Sequence, residues 1–244
     1  MSKIKEFWHI SPWHYLPLPS AHIWAISYTH LILDEKIAVM DSVDARAAEE
    51  WLSNVAQVLE GRNPDYLVVT HMEPDHSGSL MRLAQTYPEM KIVGNAKTFT
   101  LIKQFFGTGA LSEDRMREVG ERDTLSLGLH RLRFLLAPMV HWPEVMAAYE
   151  EEEKILFSAD AFGRFGSLER TARAPWAPQA RRYYYNIVGK YGAQVQACLL
   201  YTSPHAQVSL WSATWRVCLS VICRWRTRPI WNARWKRPSA HWIR

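Results

Sequence analysis

No cysteine occurs before Cys198, and Cys198, Cys218 and Cys223 are the only three in the chain. The body of the protein therefore offers no thiolate to a soft metal, and no thiol that reports on a redox compartment. No uncharged apolar run reaches the roughly 18 residues of a membrane-spanning helix. The opening MSKIKEFWHISPWHY lacks the apolar core of a secretory leader. A cytoplasmic location without a membrane partner is expected. Also missing are a Gly-rich phosphate loop and a Gly-x-Ser-x-Gly elbow, which removes the common nucleotide-binding and serine-hydrolase patterns. What is present suits a globular domain: 244 residues, 48% hydrophobic and 22% charged, enough to bury a core.

Charge divides the chain in two. From Cys198 onward there are seven arginines and one lysine and no acidic residue, so the formal charge of +5 is a tail at +8 on a body at −3. Six of the twelve tryptophans also lie in that tail. Interleaved Arg and Trp suit a nucleic-acid or lipid-binding extension. CLLYTS, however, resembles what a common sequencing adapter encodes, and the excess of Trp and Arg resembles a wrong-frame translation. A divergent terminus is the third reading. The tail, 198–244, is taken as foreign to the domain, disordered and not completing its second sheet. No nucleic-acid partner is expected.

The body reads as alternating elements. LILDEKIAVMD (31–41) predicts two short strands around a polar turn. Residues 44–60 predict a helix, with Trp51, Leu52, Val55, Val58 and Leu59 at helical spacing and Gly61 as the stop. PDYLVVT predicts a buried strand, GSLMRLAQTYP a helix, KIVGN a strand, and AKTFTLIKQFFG a helix ended by Gly107. DTLSLGLHRLRFLLAP and AAYEEEEKILFSADAF predict hairpins, and RRYYYNIVGKYGAQVQACLL is helical. Strands and helices in this order fit a layered α/β domain.

Straight after the strand PDYLVVT comes HMEPDH, with His71, Glu73, Asp75 and His76 in six residues. In an extended loop, residues two apart point the same way. His71 and Glu73 then face one metal, and Asp75 and His76 turn to a second. The plainer reading is a polar loop in which Asp75 caps the next helix. His141, in APMVHWPEVM, and Asp160, in ILFSADAFGRFG, end later apolar stretches. A carboxylate ending a buried strand needs a partner, and a bridging position between two cations supplies one. Imidazole with carboxylate suits iron, manganese or zinc.

THMEPDHSGSL, APMVHWPEVM and ILFSADAFGRFG, in this order, resemble the flavodiiron proteins, as does RRYYYNIVGKYGAQVQA after them. Glu73 stands where the related hydrolases carry the second His of their His-x-His-x-Asp-His pattern. The resemblance runs from about Tyr28 to Ala197, and implies a metallo-β-lactamase-like αββα sandwich, incomplete at its C-terminal end, over 28–197. It implies two irons. His71, Glu73 and His141 would hold one, Asp75 and His76 the other, and Asp160 would bridge. Tyr184 becomes a candidate hydroxyl beside bound substrate, and Trp142 a packing residue. The implied activity is reduction of dioxygen to water or of nitric oxide to nitrous oxide, with electrons from FMN. The donor would be a rubredoxin or flavin reductase, and the assembly a homodimer. The segment 1–27 departs from the family's opening strands. A family Leu-His-Gly segment has no counterpart after Ala197, so the second iron position is expected to be incomplete. The family's FMN-binding flavodoxin-like domain is likewise not found, so no FMN is expected on this chain. The alternatives are a metal-dependent hydrolase, against which Glu73 argues, and a non-catalytic metal-binding remnant.

Overall fold

Stretches that are apolar at every position become strands buried on both faces, and those apolar every third or fourth position become the helices that cover them. The computed structural model describes residues 23–26, 29–161, 176–201 and 216–218.

The first sheet has six strands in chain order: β1 (Ile23–Ile26), β2 (Thr29–Ile32), β3 (Ala38–Met40), β4 (Tyr66–Val68), β5 (Lys91–Gly94) and β6 (Met116–Glu118). β1 to β3 run antiparallel, and β3 to β6 run parallel. Parallel neighbours need crossovers. These are α1 (Ala48–Leu59), α3 (Leu80–Thr86), which follows a one-turn α2 (Pro74–Ser77), and α4 (Ala96–Phe106). The second sheet holds β7 (Thr124–Ser126), β8 (Arg131–Leu136), β9 (Met146–Glu150), β10 (Ile155–Phe157) and β11 (Arg216–Cys218). β7 to β10 are antiparallel, and β11 lies parallel to β10. Beyond β10 come α5 (Trp176–Tyr183), a π-helical turn over Tyr184–Val188, and α6 (Gly192–Tyr201).

Strand alternation makes two cores from the first sheet. Leu31, Val39, Leu67 and Ile92 face the helices, where Trp51, Val55 and Leu59 of α1 lie buried one turn apart with Leu83 and Phe99. Ile32, Met40, Val68 and Val93 face the second sheet, meeting Leu132, Phe134, Met146 and Phe157. The predicted α1 ends as its sequence requires: Glu60 is left-handed at φ 49° and Gly61 follows at φ 86°. A third cluster joins Val140 of the β8–β9 connection to Tyr183, Val188 and Val195.

Ile23–Ile26, at the end of the segment set apart by its sequence, pairs with β2 in the register Ile23↔Ile32. Two expectations are corrected. The tail does reach the second sheet, because Arg216–Cys218 pairs with β10; hydrogen bonding along an open edge needs backbone, not a side-chain period. The HMEPDH loop is not extended throughout. Pro74, at the first helical position with its φ preset, starts α2 after an extended Glu73 (ψ 150°), so Asp75 and His76 sit on a helical turn. Residues 198–201 of the tail continue α6, and the remainder apart from β11, including His205 and His241, lies outside the described residues.

Candidate metal centre

Beyond β4 the chain crosses from one sheet to the other. Val69 N–H donates to Val93 O in the first sheet, and Thr70 O accepts from Met146 N–H in the second, at 3.0 Å. The next residue, His71, therefore emerges at the ends of both sheets. The loop is held down at Gly78, where an added Cβ would lie 2.5 Å from Pro74 O and 2.9 Å from Ala45 N. Only glycine permits that approach.

His71 is fully buried, and its Nε2 is the hub of a four-residue group. It stands 3.3 Å from His141 Nε2, 3.4 Å from Glu73 Oε2 and 3.7 Å from Asp160 Oδ2. His141 Nε2 is 3.4 Å from both Glu73 Oε2 and Asp160 Oδ2. Ligands about 2.1 Å from one ion stand about 3 to 3.5 Å from each other, so this spacing fits a single cation. A second group joins Asp75, His76 and Asp160. His76 Nε2 is 2.7 Å from Asp160 Oδ1 and 3.9 Å from Asp75 Oδ2. Asp160 thus turns one oxygen to each group. The structure brings together all six residues singled out as ligands, with Asp75 the most exposed of them.

Two carboxylates that sequence reasoning missed stand behind the imidazoles. Glu144 Oε1 lies 2.9 Å from His71 Nδ1 and accepts Met72 N–H at 2.9 Å. Asp41 Oδ2 lies 3.2 Å from His76 Nδ1, while its Oδ1 accepts Thr70 N–H at 2.6 Å. With Nδ1 engaged outward, each ring presents Nε2 to the centre, the arrangement a metal-binding histidine needs. The signal for Asp41 was present: it ends the apolar strand IAVMD, and the argument made for Asp160 applies equally to it. Glu144, three residues past His141 and just before β9, carried no comparable signal.

The charges of the site also hold one another. Hydrogen bonds with His141 and His71 lower the Glu73 carboxyl to about 2. Burial would raise Asp160, but hydrogen bonds from His141 and His76 hold it well below the usual carboxylate range. Asp160 and Glu73 in turn raise His141 to about 9. His71 and His76 are pushed down by burial, yet both rise, through Glu144 and Glu73 for His71 and through Asp160 and Asp41 for His76. A cation entering here displaces protons from Nε2 atoms, so its affinity depends on pH.

The tyrosine whose surroundings include the charges of the centre is Tyr183, next in the chain to Tyr184. Tyr183 is buried, and its phenol is raised by burial and by the negative charges of Asp160 and Glu73. The Tyr184 hydroxyl lies against Gly192, where an added Cβ would come within 3.1 Å of its oxygen. One residue along a helix turns a side chain by about 100°, and the sequence does not state the phase. Trp142 packs against the helix-side core and stands edge-on to His71, centroids 5.3 Å apart, as a packing residue would.

Residues 27–188 match the model described as ODP family beta lactamase. The chain belongs to this family. Within that assignment its relatives are flavodiiron. The ODP-family chain is 35% identical over 135 residues to a flavo-diiron protein of Clostridium acetobutylicum, covering 55% of this chain and 33% of the relative. It is 33% identical over 175 residues to the anaerobic nitric oxide reductase flavorubredoxin of Vibrio vulnificus, covering 69% and 35%. Among solved structures, rubredoxin oxygen:oxidoreductase from Desulfovibrio gigas superposes with a TM-score of 0.63 at 29% identity, covering 77% of this chain and 46% of that one. The chain therefore spans about a third to a half of the length of these proteins. The metallo-β-lactamase-like fold and the flavodiiron resemblance both stand, for this part of the family's length. The named relatives are oxidoreductases, which disfavours the hydrolase alternative.

Proposed function

We propose that this chain forms the metal-holding part of an oxidoreductase that reduces dioxygen to water or nitric oxide to nitrous oxide. The observation that carries the reading is Asp160, with Oδ2 towards the His71–Glu73–His141 group and Oδ1 towards His76. His71, Glu73 and His141 would hold one iron, Asp75 and His76 the other, and Asp160 both. Bound there, the irons supply the redox chemistry that a diatomic substrate requires, while the chain supplies geometry and exclusion of water.

The chain's own residues have distinct tasks. Glu144 and Asp41 keep the two imidazoles aimed inward. Half-buried Trp142 stands edge-on to His71 and packs, as buried Met72 does, in the helix-side core, which keeps that side of the centre apolar. Tyr183, held neutral by burial beside two carboxylates, would donate its hydroxyl proton to a substrate oxygen. Delivery of electrons from FMN, a rubredoxin or flavin-reductase donor, a homodimeric assembly and a cytoplasmic setting are part of the same proposal. The described residues contain no helix long and apolar enough to cross a membrane.

The test is anaerobic loading of the full chain with ferrous iron, followed by exposure to nitric oxide or dioxygen with a chemical reductant. Consumption of either gas that depends on iron and disappears in Glu73→Ala supports the reading. Iron bound without consumption leaves a non-catalytic metal-binding role. Zinc-dependent ester or lactam hydrolysis instead overturns the assignment.

A further inference from the structure

The two histidines beside the α2 turn are backed by carboxylates of different character. Behind His76, Asp41 is shared out: Thr70 N–H donates to one oxygen and the Thr70 hydroxyl to the other. Behind His71, Glu144 is completely buried and engages through Oε1 alone, to Nδ1 and to Met72 N–H. Among the described residues no donor reaches its Oε2. The Glu144 backbone is itself tied down, because Asn95 Nδ2 donates to its carbonyl at 2.6 Å while Asn95 Oδ1 caps α4. A buried carboxylate with few donors to spread its charge is a strong acceptor. Accepting from Nδ1–H, it makes the opposite ring nitrogen a better metal ligand.

On the reading of this site as a metal centre, we propose that Glu144 is a positioning residue that makes the His71–Glu73–His141 position the tighter of the two. Asp41, its charge already drawn towards Thr70, supports His76 less strongly. The ligand groups point the same way, since the first has four residues and the second three among those described.

The experiment titrates the full chain anaerobically with ferrous iron against a competing chelator, resolving two binding steps. Glu144→Gln keeps the size of the side chain and an acceptor for Met72 N–H but removes the charge. It is expected to weaken the stronger step by about 10- to 100-fold and leave the weaker one alone. Asp41→Asn is expected to do the reverse, and Glu144→Asp to recover part of the loss. Nitrogen-15 spectra of the metal-free chain give a readout that needs no iron: the hydrogen bond from His71 Nδ1–H should weaken in Glu144→Gln and move that nitrogen's shift, while His76 Nδ1 stays where it was. Circular dichroism checks that the variants fold, and the milder Glu144→Asp carries the comparison if Glu144→Gln does not. An unchanged stronger step overturns the proposal, as does equal weakening of both steps. A wild-type chain that takes up no iron overturns the reading of the site as well, and so separates the two failures.

Discussion

His30 should make this fold acid-sensitive well above the carboxylate range. It lies buried on β2 with its ring edge-on to Phe157 of the opposite sheet, centroids 5.5 Å apart. Burial lowers its imidazole from the ordinary 6.5 to about 4, against a smaller opposing pull from Asp41. Between those values the unfolded chain binds a proton that the folded chain refuses. Stability then rises with pH, so acidification from 6.5 towards 4 removes it. A shift of this size corresponds to on the order of 3 kcal/mol, at about 1.4 kcal/mol per pH unit. Below pH 4 both states carry the proton and the loss stops growing. The assay is urea denaturation of the metal-free chain and of His30→Asn at several pH values from 7.5 to 3.5. Subtracting one stability curve from the other cancels the remaining titrating groups that the two share. The difference should be flat above about pH 7, change by on the order of 3 kcal/mol in the variant's favour down to pH 4, and level off. A difference independent of pH would refute the argument, and a change of opposite sign would mean His30 is charged in the folded state.

Three further outcomes are expected. Gly78→Ala should cost about 1–3 kcal/mol, since its Cβ would collide with backbone at Pro74 and Ala45; thermal melting reads the loss, and iron stoichiometry should fall with it because the α2 turn must move. Tyr183→Phe should lower gas consumption by roughly 10²-fold at unchanged iron content, and Tyr184→Phe should not; equal effects would place neither hydroxyl at the centre. Asp34→Ala should cost about 1–3 kcal/mol near neutral pH, because Asp34 accepts from His130 N–H at 2.7 Å and pairs with its Nδ1 at 2.8 Å, docking the β2–β3 turn on the β7–β8 turn. Burial, the largest single cause, would raise the Asp34 carboxyl, but the hydrogen bonds of His130, Glu35 and Leu129 together outweigh it and hold Asp34 below its ordinary value of 3.8. That stabilisation is present above about 3.8 and is lost as pH falls through the lower folded value, where the variant and the parent should converge.

Local order decided much of this protein without help. Residues of one strand alternate between cores, so unbroken apolar runs such as YLVV declare burial on both faces; residues of one helix repeat every third or fourth place, so Trp51, Val55 and Leu59 declare α1. The ligands of HMEPDH are neighbours in sequence, and their density pointed to chemistry before any fold was known. Tertiary structure decided what depends on long separations or on phase. Glu144 reaches His71 across 73 positions and Asp41 reaches His76 across 35, pairings that no local period encodes. Pro74 replaced the expected extended loop with a helical turn and changed how Asp75 and His76 are presented. The choice of Tyr183 over Tyr184 turns on helix rotation, and the pairing of Arg216–Cys218 with β10 on an open strand edge. Pattern determines which faces are buried; only the folded chain determines which buried charges meet, because the energy that pairs them acts through space and not along the sequence.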